Sequence, residues 1–487
     1  MKKMLSVLLA VTMLLTLSAG VFAEGETAEY PWPKYDEIKT VNVWFPVNYD
    51  CPDAELVQDA INAISEERYG IHYNLTVIGF GNYDSQLNLA LTGDGEVDIY
   101  SAGSLTTAVQ NGQLYDMTDF FNADPNKDTI LEWQDRFLSK NYVDGRLYAL
   151  QLLYDLGHYQ SLNITNDVAE FYGIEPMSEL SLDDIDELLA KIKVDFPDRY
   201  PIAGNYGMLI GDFWTWDYAG DSLASGVLPH KGQDEELKLE CIFDNEDYIN
   251  FLRHARKWYE NGYVNPDILT NNTVGNFSLL STHQAATGFD AFGVNEIAGC
   301  IRTKMKEVGL WCQALSGGGL GINSLSKDPE AAYRALTIFW YDDEIATLLN
   351  NGIEGKTYTL NDDGTISYIS GDPATCGWPA ATMFWVFPGC EKAHPTDING
   401  PTFYKDLYTL LDNMMISKAY GFIYDPTEQY DAWVACKAVY NDYYYMLTTG
   451  VMDVDSTLAE AKEKWLAAGG EALMADKQAQ LDAWLGK

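Results

Sequence analysis

Apolar and polar residues alternate from Thr40 to Phe45, the period of a strand with one buried face. Asp53 to Arg68 changes to helical spacing, with Ala54, Val57, Ile61 and Ile64 on one side and Gly70 as a stop. Ile71, Tyr73, Leu75 and Val77 alternate again, and Tyr83 to Leu91 returns to a helical pattern. Val97 and Ile99 mark a third short strand, which ends in Ser101-Ala102-Gly103-Ser104. A helix over Ser104–Asn111 follows, closed by Gly112. The β-α-β-α-β order predicts a largely parallel sheet with helices on its faces. A strand that ends in small residues at a helix N-terminus leaves a crevice of the kind that holds ligands in open α/β sheets.

Downstream, Asp144–Leu150 reads as a turn leading into a strand, and Ser181–Val194 as a helix capped by Ser181 and Asp184. Asn245–Gly262 has an Asn cap, helical apolar spacing and a Gly stop, and is the clearest helix in the chain. Ala285–Phe289 and Gly319–Asn323 are small-residue strands. Asp328-Pro329 opens another helix, with Pro at the first helical position. Thr357–Ile369 reads as a hairpin turning at Asn361–Gly364. From Pro401 the pattern is mostly helical, over Thr402–Ser417, Thr427–Leu447, Ser456–Ala468 and Gly470–Leu485.

Composition narrows the partners. The 487 residues carry 31 Lys+Arg against 72 Asp+Glu, a formal charge of -41. Such a surface repels phosphate backbones and anionic headgroups, which argues against nucleic acid. Lys2 and Lys3, the apolar Met4–Leu17 and the small residues around Ala23 read as a secretory signal over 1–23, with 24–37 as an acidic linker. No later stretch is an unbroken apolar run of membrane-spanning length, roughly 18 residues. Seven cysteines are scattered without a CxxC pair, so a zinc site is not expected. Cys376 with Cys390 is one disulfide the order permits.

Catalytic and nucleotide motifs fail on inspection. Gly352–Thr357 lacks the first glycine of a phosphate loop, because Asn350 stands there, and a hairpin follows where a helix is needed. There is no HExxH, and Gly220–Ala224 misses the nucleophile-elbow pattern at its last position. Asp124, Asn126, Asp128, Glu132 and Asp135 fall at calcium-loop offsets, but Thr129 occupies the Gly position, and a solvated helix start explains the acids better. The positive signal is aromatic. Trp44, Tyr83, Tyr100, Tyr154, Trp214, Trp216, Trp378 and Trp385 are candidate ligand contacts, most of them at strand ends or in loops beside Gly, Pro or Asp. Rings so placed suit stacking on the C–H faces of sugars, with Asp217 and Asp290 as hydroxyl acceptors. Trp214 and Trp216 lie two apart, so both should point the same way in an extended segment.

Several segments carry a family likeness: GDGEVDIYSAG, GQLYDMTDFF, DGRLYALQ, NEDYINFLRHARKWYENGYVNPDILT, KDPEAAYRALTIFWYDDE, NNGIEGKTYTLNDDGT and AAGGEALMADKQAQLDAWL. In order and spacing they resemble the family 1 extracellular solute-binding proteins of bacterial ABC importers, in their long, carbohydrate-type branch. The resemblance implies a type II periplasmic-binding-protein fold: two α/β lobes joined by crossover hinges, a mostly helical C-terminal part and a sugar cleft between the lobes. By analogy the hinges fall near Leu150–His158 and Leu315–Asn323. Lobe 1 would take 38–154 and 318–375, and lobe 2 would take 155–317 and 376–487. The ligand implied is an oligosaccharide and the partners are ABC permease subunits, with a monomer, no cofactor, no metal and no enzymatic activity expected. Val21 stands where relatives carry a lipobox cysteine, so release without a lipid anchor is expected. The competing reading is a secreted glycoside hydrolase, which needs two carboxyl groups facing a cleft at catalytic separation.

Overall fold

A computed structural model describes residues 30–93, 97–103, 105–134, 138–152, 158–203, 214–270, 277–286, 299–312, 319–383, 385–412 and 414–487. The first part of the chain forms β1 (Lys39–Val47), α1 (Ala54–Arg68), β2 (Ile71–Gly79), α2 (Phe80–Ala90), β3 (Ile99–Ala102), α3 (Leu105–Gln110) and β4 (Ala149–Gln151). The middle forms β5 (His158–Thr165), α4 (Leu182–Asp195), β6 (Tyr200–Ala203), α5 (Glu246–Glu260), β7 (Phe277–Ala286), β8 (Cys300–Met305) and β9 (Trp311–Cys312). Then come β10 (Gly319–Ile322), α6 (Pro329–Tyr341) and α7 (Asp343–Asn351). The chain ends in α8 (Phe403–Asp412), β11 (Met415–Ile416), α9 (Tyr430–Thr448), α10 (Val454–Ala467) and α11 (Gly470–Trp484).

Two sheets result. In the first, the order is β2-β1-β3-β10-β4. β1 runs parallel to β2 and β3, as the β-α-β-α-β pattern predicts, while β10 is antiparallel to both its neighbours. Val41, Val43, Phe45 and Val47 point from β1 into the core, and α1 covers them with Val57 and Ile61. The other partner is α6, whose residues are buried from Ala331 to Tyr341. A helix apolar on every side packs at the centre of a lobe. The expected linker is partly structured: Tyr30, Trp32 and Tyr35 pack against this core, and the Arg334 guanidinium lies 4.9 Å over Trp32 and 4.6 Å over Tyr35. The expected lobe boundary after residue 375 also moves, because Trp378, Ala380, Met383, Val386 and Phe387 all sit in this first core.

β5 is central to the second sheet. It pairs antiparallel with β7 on one edge and with β8 and β9 on the other, and β6 extends the sheet parallel to β7. The strand expected at 285–289 starts earlier, since β7 already begins at Phe277. α4, α5 and the three C-terminal helices build one large core with this sheet. The caps read from the sequence are present. Ser181 and Asp184 form a capping box, and Asn245 and Asp328 accept the backbone N–H of Tyr248 at 2.9 Å and Ala331 at 3.1 Å. The chain crosses from sheet to sheet between β4 and β5 and again between β9 and β10. A third crossing is made by α8, where Phe403 and Tyr404 pack with Cys390 and Trp385, while Leu407 packs with Cys312 and Met414. Cys376 and Cys390 are both free thiols.

A polar knot ties α4 to α5. The buried Asp186 carboxylate pairs with the His254 ring nitrogen at 3.0 Å and accepts from Lys257 Nζ at 2.6 Å and Trp258 Nε1 at 2.5 Å. Burial pushes its pKa up, but those three donors outweigh it and hold the carboxyl below its ordinary value. A lowered carboxyl pKa contributes stability above the unfolded value, and that stability is lost as pH falls through the folded value. Asp186→Asn should cost about 2 kcal/mol at neutral pH. The loss should shrink in acid, which urea unfolding at pH 7 and pH 3 would measure.

Candidate functional site

The structure sorts the predicted aromatic set. Trp214 and Trp216 do point the same way, but toward the core, where they are 1% and 0% exposed. Trp214 meets Phe251 edge-on at 5.7 Å and Trp216 meets Tyr248 at 5.8 Å, both on α5. Asp217 is buried and accepts the Ala219 N–H at 2.7 Å, so it braces a turn. Trp378 is buried, with Nε1 donating to the Leu349 carbonyl at 2.8 Å. Tyr83 and Tyr100 are buried beneath the ends of β1 and β3. The Tyr83 hydroxyl accepts from Ser101 N–H at 3.1 Å, and Tyr100 donates to the Gln113 carbonyl at 3.2 Å. These six residues are therefore corrected from ligand contacts to structural ones. Trp44, beside Tyr83 and Tyr100, and Trp385, packed against Phe403 and Tyr404 at the start of α8, remain half-buried. Tyr154 and Asp290 lie outside the described residues. The calcium-like offsets do not make a loop site, since Asp124 is buried and its Oδ2 accepts from Tyr333 at 3.0 Å and Tyr341 at 2.8 Å.

A crevice of about 960 Å³ opens where the lobes face each other. The first lobe contributes Gln110 from the end of α3, Asn122, Lys127 and the Tyr142–Gly145 turn. The second contributes Ile423, Asp425, and Gln480 and Trp484 from α11. Gln110 Nε2 donates across the lobes to Asp425 Oδ1 at 2.7 Å. Gln480 holds Asp425 from the other side, accepting its N–H at 3.0 Å and donating to its carbonyl at 2.9 Å. The wall at Ile423 depends on Gly220, whose φ is +72° and where a Cβ would lie 2.3 Å from the Phe422 carbonyl oxygen. Trp484 is 47% exposed and tilts against Phe422 at 5.9 Å. A half-exposed indole among amide and carboxyl groups can stack on a sugar face while its neighbours exchange hydrogen bonds with hydroxyls.

Five residues beyond Asp425, α9 begins with an aromatic platform. Tyr430 is 57% exposed, and its ring lies 5.8 Å from Trp433 at 31°. The Lys437 ammonium stands 4.1 Å over the Trp433 ring. Trp433 Nε1 donates to both Asp221 carboxylate oxygens, at 3.1 and 3.0 Å, which fixes the indole. Neither Trp433 nor Trp484 figures among the candidates read from sequence. The available signal was the spacing of Tyr430, Trp433 and Lys437, which puts an aromatic pair and a cation on one helical face.

Two sheets, crossings between them and a crevice shared by both lobes define the two-lobed periplasmic-binding-protein fold. Comparison with known proteins gives the same result. A carbohydrate ABC transporter substrate-binding protein of Streptococcus pneumoniae is 22% identical over 454 residues, covering 90% of this chain and 89% of that protein. The polygalacturonan/rhamnogalacturonan-binding protein YtcQ of Bacillus subtilis is 20% identical over 76% of each chain. The crystal structure of the N-glycan transport solute-binding protein NgtS of Streptococcus pneumoniae superposes with a TM-score of 0.78 at 18% identity, over 92% of this chain and 99% of that one. In complex with Man1GlcNAc the same protein gives 0.71, and with Man5GlcNAc 0.67. Residues 418–486, which carry the platform and Trp484, match a domain of unknown function, DUF3502. Over most of its length the chain is similar to carbohydrate-type solute-binding proteins of ABC importers, and it shares their two-lobed fold.

Proposed function

We propose that this protein captures an oligosaccharide between its lobes and delivers it to the membrane subunits of an ABC importer. The observation that carries the reading is the crevice, which both lobes line and which pairs the half-exposed Trp484 with Gln110, Asn122, Asp425 and Gln480. The carbohydrate-binding relatives support it over the glycosidase alternative. Within the crevice, Asp425 Oδ1 is taken up by Gln110 and by Thr427, which is the arrangement of a positioning group. On this reading the protein acts as an exported monomer. Ligand should draw the lobes together through contacts made only in the closed state.

A thermal-shift screen against a glycan panel tests the reading. Binding without release of reducing ends is the expected result, together with a smaller radius of gyration at saturation. Trp484→Ala should lose about 2 kcal/mol of binding, roughly thirtyfold in Kd. Its unliganded melting point should stay near that of the wild type, because the side chain is half in solvent. Turnover of the glycan would return the assignment to an enzyme.

A further inference from the structure

Beyond the platform, the same helix carries a second pocket. Tyr430, Trp433, Lys437, Tyr440 and Tyr444 are spaced three and four apart, so they form one stripe along α9. The adjoining face buries Cys436, Tyr443 and Leu447 in the lobe core. At the far end of the stripe a pocket of about 450 Å³ is lined by Tyr440, Asn441, Tyr444 and Tyr445, with Asp221 and Lys437 on its near side. Asp221 and Lys437 are also the two residues that hold Trp433, so platform and pocket are continuous. Tyr440 and Tyr444 lie 5.6 Å apart, Tyr445 crosses Tyr444 at 5.2 Å, and Tyr445 is 63% exposed. Trp433 and Tyr440 rest on the lobe core and Tyr444 is half-buried, so the stripe is a supported row of rings with exposed Tyr430 and Tyr445 at its ends.

We infer that this pocket is a second saccharide subsite and that the ligand is a linear oligosaccharide long enough to reach it along α9. The inference rests on the oligosaccharide reading above and adds length and direction to it. Three features select a sugar chain as the occupant. Aromatic rings are interleaved with groups that donate and accept hydrogen bonds, namely Asn441, Lys437 and Asp221. The stripe runs without a break from the platform. From Tyr430 to Tyr445 the helix rises about 22 Å, a span that a monosaccharide or disaccharide cannot bridge. Asp221 is the pocket's carboxylate and Lys437 its ammonium, so the subsite suits neutral residues over polyanionic ones.

The test uses the full chain and a graded series of neutral linear oligosaccharides, from disaccharide to octasaccharide, measured by calorimetry. Wild-type affinity should rise with length and then level off. Tyr445→Ala and Asn441→Ala should remove about tenfold of that gain for the long members and leave the short ones unchanged. Both residues are exposed, so both variants should keep the wild-type melting point. Equal affinity for short and long members in the wild type overturns the inference while leaving the crevice reading intact. Variants that bind every length normally but fail in importer-dependent uptake also overturn it, and assign the stripe to permease docking. Failure of every glycan to bind overturns the crevice reading itself.

Discussion

Trp216→Ala should destabilise the protein by about 3–5 kcal/mol, the cost of removing a large aromatic side chain from a close-packed core. Its indole is fully buried and meets Tyr248 edge-on at 5.8 Å, one turn along α5 from the Phe251 ring that holds Trp214. Little in that neighbourhood can collapse into the gap, because α5 also buries Leu252, Ala255 and Trp258 on the same face. Trp216→Phe should be far milder, under about 1.5 kcal/mol. Trp216 Nε1 is buried without a hydrogen-bond partner among the described residues, so phenylalanine keeps part of the ring system and removes a polar group that gains no bond from them. Urea unfolding at constant slope measures both. Glycan affinity of the folded fraction should be unchanged in each. A Trp216→Ala variant that melts like the wild type and loses its glycan would place the indole in the cleft.

The second large effect is a pH dependence. Lys477 on α11 is fully buried, and its ammonium donates to the Tyr218 carbonyl at 2.6 Å, Ser225 Oγ at 3.0 Å and the Gly226 carbonyl at 2.9 Å. Burial pushes its pKa down to about 8, from an ordinary 10.5. Between those values the unfolded chain binds a proton that the folded chain has released, so stability rises with pH across that window. The full rise is about 3 kcal/mol. Lys477→Met removes the titration and leaves the two carbonyls and Ser225 Oγ without that donor. The stability of the wild type relative to the variant should therefore grow by about 3 kcal/mol from pH 7.5 to pH 10.5. A flat difference would show that the ammonium is solvated as well in the fold as outside it.

Local patterns carried much of the first lobe. β1, α1 and β2 could be read because one face of each meets the core, so period two and period 3.6 stand out against polar neighbours. The caps at Ser181, Asn245 and Asp328 could be read because a cap bonds within its own first turn. What could not be read was non-local. Residues 378–387 join the first core through short turns with no period to reveal their partner, so nothing in their sequence points to that lobe. The aromatic residues failed for a related reason. By sequence alone a ring in a loop reads as a ligand contact and a ring in a periodic helix as core. Trp214 and Trp216 lie outside regular helices yet pack on α5, whose rings are more than thirty residues away in sequence. Tyr430 and Trp433 sit in a helix that is apolar on several sides, and a period fixes the helix without saying which side stays in solvent.

The place of β10 has a consequence for how the chain folds. It lies between β3 and β4 in the first sheet, yet it is made only after the whole β5-to-β9 stretch of the second. A polypeptide emerging from the ribosome reaches Gly319–Ile322 when about two thirds of it has been synthesised. Until then β3 and β4 have no strand to join them, and α6, which fills the centre of that core, is also missing. Contacts of such long sequence separation close slowly, since the loop entropy is paid before they form. The N-terminal lobe therefore cannot complete itself early, and its folding waits on the last third of the chain.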